Sequence, residues 1–423
     1  MKIDCLITTF NDEKVINKCI ESIPKKILGL PVRIIISDDF SKDKTIEIAR
    51  NLLKGREHKI ITSESNKGVG KNRQIALEAV SSDYFFFIDS DDYLKESNFT
   101  IEQEEYFLKS DMIFFSKLVP YRNSQVNFEK EILQISDQIN KEINIDILYF
   151  LICKYKLRMG ECWGVIFKNS IIKKYSIQFI DAIVGEDVIF LLEYLLKSKT
   201  WSFYPKIVLH KTYNLGLSSY IGDSVTKSYL RILNKSFSLL QFEKNKLISK
   251  TKIDLYKFYQ DSFIRSVAIH NFFSKNSTID NIKECKINSI YKNIFKNNLN
   301  NEIDIKIDRL SQDLELCLKK IIDSDKNIKY CFWLASPLTF VFSRLLFLKH
   351  NIKVSVILDD ARNGTYNLSN QDFIPIMKLD EFSLKEKFNF RFIIINQSET
   401  LIKKLTNKTL LKYPSSEVIE MVF

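Results

Sequence analysis

Carboxylates gather in this chain at places where an apolar run stops, and each gathering has a chemistry open to it. In Ile88–Leu94 the residues Asp89, Asp91 and Asp92 follow the aromatic run Tyr84–Phe87. Three carboxylates packed there repel one another unless a cation or a network of donors neutralises them. Hard divalent cations take oxygen ligands, commonly one or two carboxylates plus substrate phosphates. A solvated acidic turn has the same composition, but an aromatic run that must be buried on both faces favours the ion. Asp38 and Asp39 end the run Val32–Ser37. With Ser41 and Asp43 they either turn and cap the chain into a helix or hydrogen-bond a nucleobase or ribose across a sheet edge. Glu186 and Asp187 follow Gly185 ahead of an amphipathic run. There they complement the dipole of a helix start or supply a general base beside an acceptor hydroxyl. Asn66–Leu77 carries Gly68 and Gly70, then Lys71 and Arg73, at the opening of a helix. A glycine turn, helix N-terminal amides and basic side chains together suit a diphosphate. Trp163, between Cys162 and Gly164, either stacks on a sugar ring or fills the core.

These side chains need a frame, and the alternation of apolar and amphipathic runs over the first hundred residues is that of β-α-β units building a parallel sheet. Strands are expected at Cys5–Phe10, Val32–Ser37, Lys59–Glu64 and Asp83–Asp92, with helices at Asp12–Ile23, Lys44–Leu53 and Gly70–Val80. Strands ending in polar residues place those residues at the edge where open α/β sheets bind ligands. Further on, a strand is expected at Met112–Phe115, helical spacing over Ile143–Tyr155 and an amphipathic helix within Val184–Ser198. From Ser224 to Ile322 the chain has no Pro or Gly and its apolar residues keep helical spacing. The tail alternates again, with strands at Lys329–Ala335, Lys353–Asp360 and Phe390–Asn396 and helices at Phe340–His350 and Glu399–Thr406. The expected division is 1–222, 223–324 and 325–423.

Composition narrows the classes. The 423 residues allow two or three domains, and 45% hydrophobic with 27% charged residues is ordinary globular usage that excludes a disordered or coiled-coil chain. The excess of 63 Lys and Arg over 52 Asp and Glu gives +11, which favours an anionic partner. Because that charge is dispersed lysine rather than clustered arginine, nucleic acid is not the expected partner. Seven cysteines without a CxxC pair, and an opening MKIDCLITTF without a leader pattern, read as a reduced cytoplasmic protein. The most apolar stretch, Tyr330–Leu348, contains Pro337 and Arg344 and reads as a buried strand and helix rather than a membrane span.

Taken in order, these motifs resemble the inverting glycosyltransferases of family 2, which have the GT-A fold. LITTFN is similar to the family's opening strand, with Thr8 where proline is usual. SDDFSKDKT resembles its Asp-Asp-Gly-Ser motif, with Phe40 in place of glycine. NKGVGKNRQIAL resembles its Asn-x-Gly-helix segment, with Gln74 and Ala76 for the usual Asn and Gly. IDSDD resembles its DxD metal motif and GEDVIF its catalytic Glu-Asp motif, so that the likeness covers residues 1–220 or so. The resemblance implies an α/β GT-A domain followed by a helical middle segment and a small C-terminal Rossmann-like α/β domain. It implies that Thr8, Thr9, Asp38, Asp39 and Ser90 serve the donor nucleoside and that Lys71 or Arg73 faces its diphosphate. Asp89, Asp91 and Asp92 would hold Mn²⁺ or Mg²⁺, Asp187 would be the base with Glu186 supporting it, and Trp163 goes with the acceptor.

The reaction so implied moves a sugar from a nucleotide-sugar, with a UDP-sugar the family's usual donor, to a hydroxyl of a growing bacterial surface glycan. Capsule, lipooligosaccharide or O-antigen is the expected setting, with a lipid-linked acceptor at the inner face of the membrane. Dispersed charge in 225–320 either forms a solvated helix face or holds the enzyme peripherally to anionic lipid. In the tail, Leu334-Ala335-Ser336-Pro337 stands where a nucleotide-binding turn would be Gly-rich, and Asp359 and Asp360 end the second strand. That unit is therefore read as structural or protein-binding, with a second nucleotide site as the alternative. Two other functions compete with the transferase. A sugar nucleotidyltransferase needs a Gly-rich loop after the first strand, and TTFNDEKVI has no glycine. A non-catalytic scaffold of a polysaccharide-assembly complex predicts loss of the carboxylates, which are all present.

Overall fold

The computed structural model describes residues 1–97, 104–118, 143–154 and 162–212, scattered positions between 228 and 321, and parts of 328–422. The chain forms two compact units, Met1–Thr212 with Ser228–Asp261, and Tyr213–Lys227 with Ser262–Phe423.

In the first unit β1 (Ile3–Thr9), α1 (Ile16–Ser22), the short β2 (Lys26–Ile27), β3 (Leu30–Asp38), α2 (Thr45–Leu52), β4 (His58–Thr62), α3 (Val69–Glu78) and β5 (Tyr84–Asp89) succeed one another as the β-α-β pattern requires. β4, β3, β1 and β5 lie side by side and parallel. Residues 3–7, 34–36 and 84–88 are all buried. Strands covered on both faces read as continuous apolar runs, which is why they stand out in the sequence. Asp4 is the exception. Fully buried on the central strand, it accepts hydrogen bonds from Arg33 Nε and Nη2 (both 2.8 Å), Ser82 Oγ (2.7 Å) and the Ser81 and Ser82 amides (both 3.1 Å). A buried charge persists only with such a set of partners.

There follow β6 (Tyr93–Glu96), β7 (Met112–Leu118), the short β8 (Ile143–Asn144), α4 (Ile145–Lys154), β9 (Val165–Lys168), α5 (Asn169–Tyr175), α6 (Glu186–Lys197) and β10 (Thr200–His210). They extend the sheet beyond β5 in the order β9, β7, β10, β6, with β9 antiparallel to β5 and β6 antiparallel to β10. The strand expected over Asp83–Asp92 is two strands. β5 stops at Asp89, a turn closes with Asp92 N donating to Asp89 O at 3.0 Å, and β6 leaves for the far side of the sheet. The helix expected from Asp12 begins at Ile16, because the Asp12 carbonyl first takes the Val15 and Ile16 amides in a turn. Aromatic packing seats α6 against β5: Phe87 meets Phe179 and Phe190 edge-on at 5.3 and 6.1 Å, and those two rings stack at 4.1 Å.

The second unit holds β11 (Ile328–Trp333), β12 (Val356–Leu358), β13 (Gly364–Asn367), β14 (Phe373–Met377), β15 (Asn389–Asn396), α7 (Glu399–Lys412) and β16 (Glu417–Val422). The sheet order is β13-β14-β12-β11-β15-β16, parallel apart from the β13–β14 hairpin. Its five parallel strands thus run 3-2-1-4-5, the order of doubly wound sheets. Trp333, fully buried, donates from Nε1 to Thr409 Oγ1 at 2.7 Å and so ties β11 to α7. β13, β14 and β16 are additions to the sequence reading; GTYN is short, FIPIM is broken by a proline and EVIEMV contains two glutamates, so none shows a clear strand pattern. After β11 the described positions Thr339, Phe342, Ser343 and Leu346 are helical and buried, and among the described residues no helix is long and apolar enough to cross a membrane. The expected helical segment 223–324 falls largely outside the described residues; the positions described between Ser228 and Ile321 are helical.

Candidate active site

β1, β3 and β5 end level with one another, Thr9 beside Asp38 and Thr8 beside Asp89. Their polar ends therefore share one edge, and side chains knit that edge together. Asp38 accepts from Ser41 Oγ (2.5 Å) and Ser41 N (3.1 Å), and burial pushes its carboxyl above the usual range. Asp39 accepts from the amides of Lys67 (2.7 Å) and Gly68 (2.9 Å), clamping the turn that opens α3. Between these turns Phe40 holds a left-handed φ of 72°, with Lys42 Nζ 3.3 Å from its ring centre. Phenylalanine thus keeps a backbone shape that glycine adopts without strain.

The two glycines before α3 have separate jobs. Gly68 sits at the N-cap with φ 87°, a conformation the turn requires. Gly70 permits close approach, since a Cβ there would lie 2.7 Å from Ile180 O and 2.8 Å from Ala182 O. The helix is thereby pressed against the segment that leads into α6, and Arg73, one turn on, reaches both sides. Its Nη2 donates to Asp89 Oδ1 at 2.9 Å and its Nη1 to Glu186 Oε1, in the first turn of α6. Gly185, with φ 72°, makes the bend that starts this helix. Lys71 does not join the cluster; it pairs with Asp181 at 3.2 Å, with both side chains more than half exposed.

Asp89, Asp91 and Asp92 each offer a carboxylate oxygen within 4.8 Å of the others. Lys211, just past the end of β10, bridges two of them, its Nζ 2.7 Å from Asp89 Oδ2 and 2.8 Å from Asp92 Oδ2. The Thr212 amide donates to Asp92 Oδ1 at 2.8 Å. Trp163 is buried, its ring centre 4.7 Å from Lys211 Nζ. Burial pushes Asp92 up to about 7 against the pull of Lys211. Burial would raise Asp89 too, yet Lys211 and Arg73 hold it well below the usual carboxylate range. Glu186 is raised by burial, although Arg73 opposes that shift. Asp187 is partly exposed, and its Oδ1 accepts from the Val188 amide at 2.8 Å.

Two members of this edge escape a reading of the sequence. One is Lys211, a single lysine among many, which the antiparallel register of His210 with Tyr93 carries to the acidic turn. The other is Asp12, which accepts from Ser90 Oγ (2.5 Å), Thr9 Oγ1 (2.7 Å) and the Phe10 amide (3.0 Å). The hydroxyls of Thr9 and Ser90 are thus turned to Asp12. Nothing local in TTFND announces a partner 78 residues away.

A mixed sheet whose parallel strand ends gather polar side chains, an acidic turn and a carboxylate-bearing helix start is an α/β fold of the GT-A type. Residues 4–171 match the family model described as glycosyl transferase family 2. The chain is 23% identical over 269 residues to EpsH of Bacillus subtilis strain 168, provisionally named a glycosyltransferase, covering 62% of this chain and 74% of EpsH. It is 26% identical over 302 residues to the GalNAc(5)-diNAcBac-PP-undecaprenol β-1,3-glucosyltransferase of Campylobacter jejuni, covering 70% of this chain and 87% of that one. A shorter stretch of 98 residues is 31% identical to the poly(ribitol-phosphate) β-N-acetylglucosaminyltransferase TarS of Staphylococcus aureus strain Mu50, covering 23% of this chain and only 17% of TarS.

Proposed function

We propose that the chain is an inverting glycosyltransferase that moves a sugar from a nucleotide-sugar, a UDP-sugar first among them, to a hydroxyl of a growing surface glycan. The observation that carries this is the Arg73 bridge, which links the acidic turn at Asp89 to the helix start at Glu186 and Asp187. A donor-side group and a candidate base thereby share one rigid support. The Campylobacter and Staphylococcus relatives, named for a lipid-linked glycan and a poly(ribitol-phosphate), support a surface-glycan acceptor, with a lipid-linked one included. The setting would be the cytoplasmic face of the membrane.

Three carboxylates without sulfur or imidazole form the donor set of a hard ion, so Asp89, Asp91 and Asp92 fit Mn²⁺ or Mg²⁺. Such an ion would neutralise charge on the departing diphosphate. The chain's own groups do the rest. Thr8 and Asp39, with Asp38 shaping the turn between them, line the nucleoside end. Arg73 sets a guanidinium between the acidic turn and the helix start, close to where the anionic diphosphate would lie. Asp187 takes the proton from the acceptor hydroxyl as its oxygen attacks the anomeric carbon, and the bond from that carbon to the diphosphate oxygen breaks on the opposite side. One displacement inverts the configuration. Glu186, tied to Arg73, orients the helix start that bears the base, and Trp163 lies beside the acceptor sugar.

The test is sugar transfer from a panel of nucleotide-sugars with Mn²⁺ or Mg²⁺, with the product's anomeric configuration read by NMR. A product of inverted configuration is expected. Asp187→Asn should lower kcat about 10²- to 10⁴-fold, the usual worth of a general base, while nucleotide affinity stays near that of the wild type. Retained configuration, or an unaffected Asp187→Asn enzyme, would sink the assignment.

A further inference from the structure

Lys211 occupies the place where the acidic turn converges. Its Nζ touches Oδ2 of both Asp89 and Asp92, at 2.7 and 2.8 Å, while the Trp163 ring lies on another side at 4.7 Å. The next donor along the chain, the Thr212 amide, takes the remaining oxygen of Asp92. Divalent ions approach carboxylate oxygens to about 2.0–2.6 Å, so an ion using these same two Oδ2 atoms needs the volume that the ammonium fills. An ammonium has three donors and no acceptor. It cannot share the site by becoming a ligand to the ion.

On the metal-dependent reading above, on which this inference rests, we infer that the Lys211 ammonium is a chain-borne competitor for the divalent ion at Asp89 and Asp92. In the ion-free protein it holds the two carboxylates together and spares them mutual repulsion. Entry of the ion displaces it, and the displaced ammonium becomes available to the diphosphate of the donor. Lys211 therefore sets how tightly the ion is held and couples ion entry to the chain at the end of β10.

The experiment is a Mn²⁺ titration of the full chain, without nucleotide, followed by the EPR signal of free Mn²⁺. Lys211→Met, which keeps length and removes charge, should bind Mn²⁺ about tenfold more tightly than wild type, a coupling within the range found for contacting residues. Lys211→Arg, which keeps a cation, should not bind more tightly. Equal or weaker binding by Lys211→Met overturns the competition and leaves the transferase reading untouched. A second measurement needs no variant: reductive methylation of Lys211 in the wild type, read by peptide mass spectrometry, should be faster with saturating Mn²⁺ than without it. An unchanged or slower rate overturns the proposal. Absence of Mn²⁺ binding in all three proteins overturns both the competition and the ion's place in the reaction, while the transfer assay judges the enzyme separately.

Discussion

Asp89 is the residue on which the candidate site turns, because each of its oxygens faces a different cation. Arg73 and Lys211 hold its carboxyl below the usual range against the upward push of burial. A depressed folded-state pKa means that the native state binds fewer protons than the unfolded chain near the unfolded value of about 3.9. The pairing therefore stabilises the fold above that pH and is lost as the pH falls towards the folded value. Denaturation midpoints measured from pH 6 down to pH 2 should show wild type falling towards Asp89→Asn, with the gap closing below about pH 4. At neutral pH that gap should stay under the roughly 3–5 kcal/mol of a fully buried pair, since the Asp89 side chain is 23% exposed. A constant gap across the whole range would contradict the pairing. Much of this residue-level chemistry is legible in the sequence: Asp89, Asp91, Asp92, Arg73 and Glu186 stand next to strand ends and helix starts that the apolar pattern marks. Lys211 and Asp12 are not legible. The carboxylates that Lys211 bridges lie 119 and 122 residues away, and Ser90, which ties Asp12 to the acidic turn, lies 78 residues away.

Among the elements, α3 and β1 show why residue type alone misleads about purpose. Gly70 belongs to a GxG pattern that suggests phosphate, yet its missing side chain is what lets α3 touch the backbone at Ile180 and Ala182. Gly70→Ala should overpack that contact and destabilise by about 1–3 kcal/mol. It should also lower transfer, because Arg73 rides on the same helix; a variant of wild-type stability would show that the contact yields freely. Asp4 looks from its type like one more candidate acid, but it is a buried anchor that holds Arg33 and the 81–82 turn. Asp4→Ala should cost about 3–5 kcal/mol, as loss of one partner from a buried pair does, and urea midpoints would measure it. β1, β3 and β5 were readable because burial on both faces makes them continuous apolar runs. β6 and β13 were not, being four residues each and defined by their pairing.

For the whole molecule, two compact units imply two cores and so a departure from two-state unfolding. If the first unit carries the donor site, UDP with Mn²⁺ at about 100 times its dissociation constant adds roughly 2.7 kcal/mol to that unit. Calorimetry should then show one transition moving up by about 5–10 °C while the other stays in place. Equal movement of both would contradict independent units, and no movement would count against the donor. The order in which the chain is made adds a constraint of another kind. Asp89 precedes Lys211 by 122 residues. At the ribosome's pace of about 5–20 residues per second, the strands that build the acidic edge are synthesised roughly 6–24 s before Lys211. During that interval a nascent chain long enough to pair β1, β3 and β5 carries Asp89 and Asp92 without Lys211. A premature stop between β5 and Lys211 leaves Asp92 without that ammonium, with Arg73 as the one cation of the pair still beside Asp89. The closing step in the birth of this site is thus the arrival of β10 beside β6, late in the first unit's synthesis.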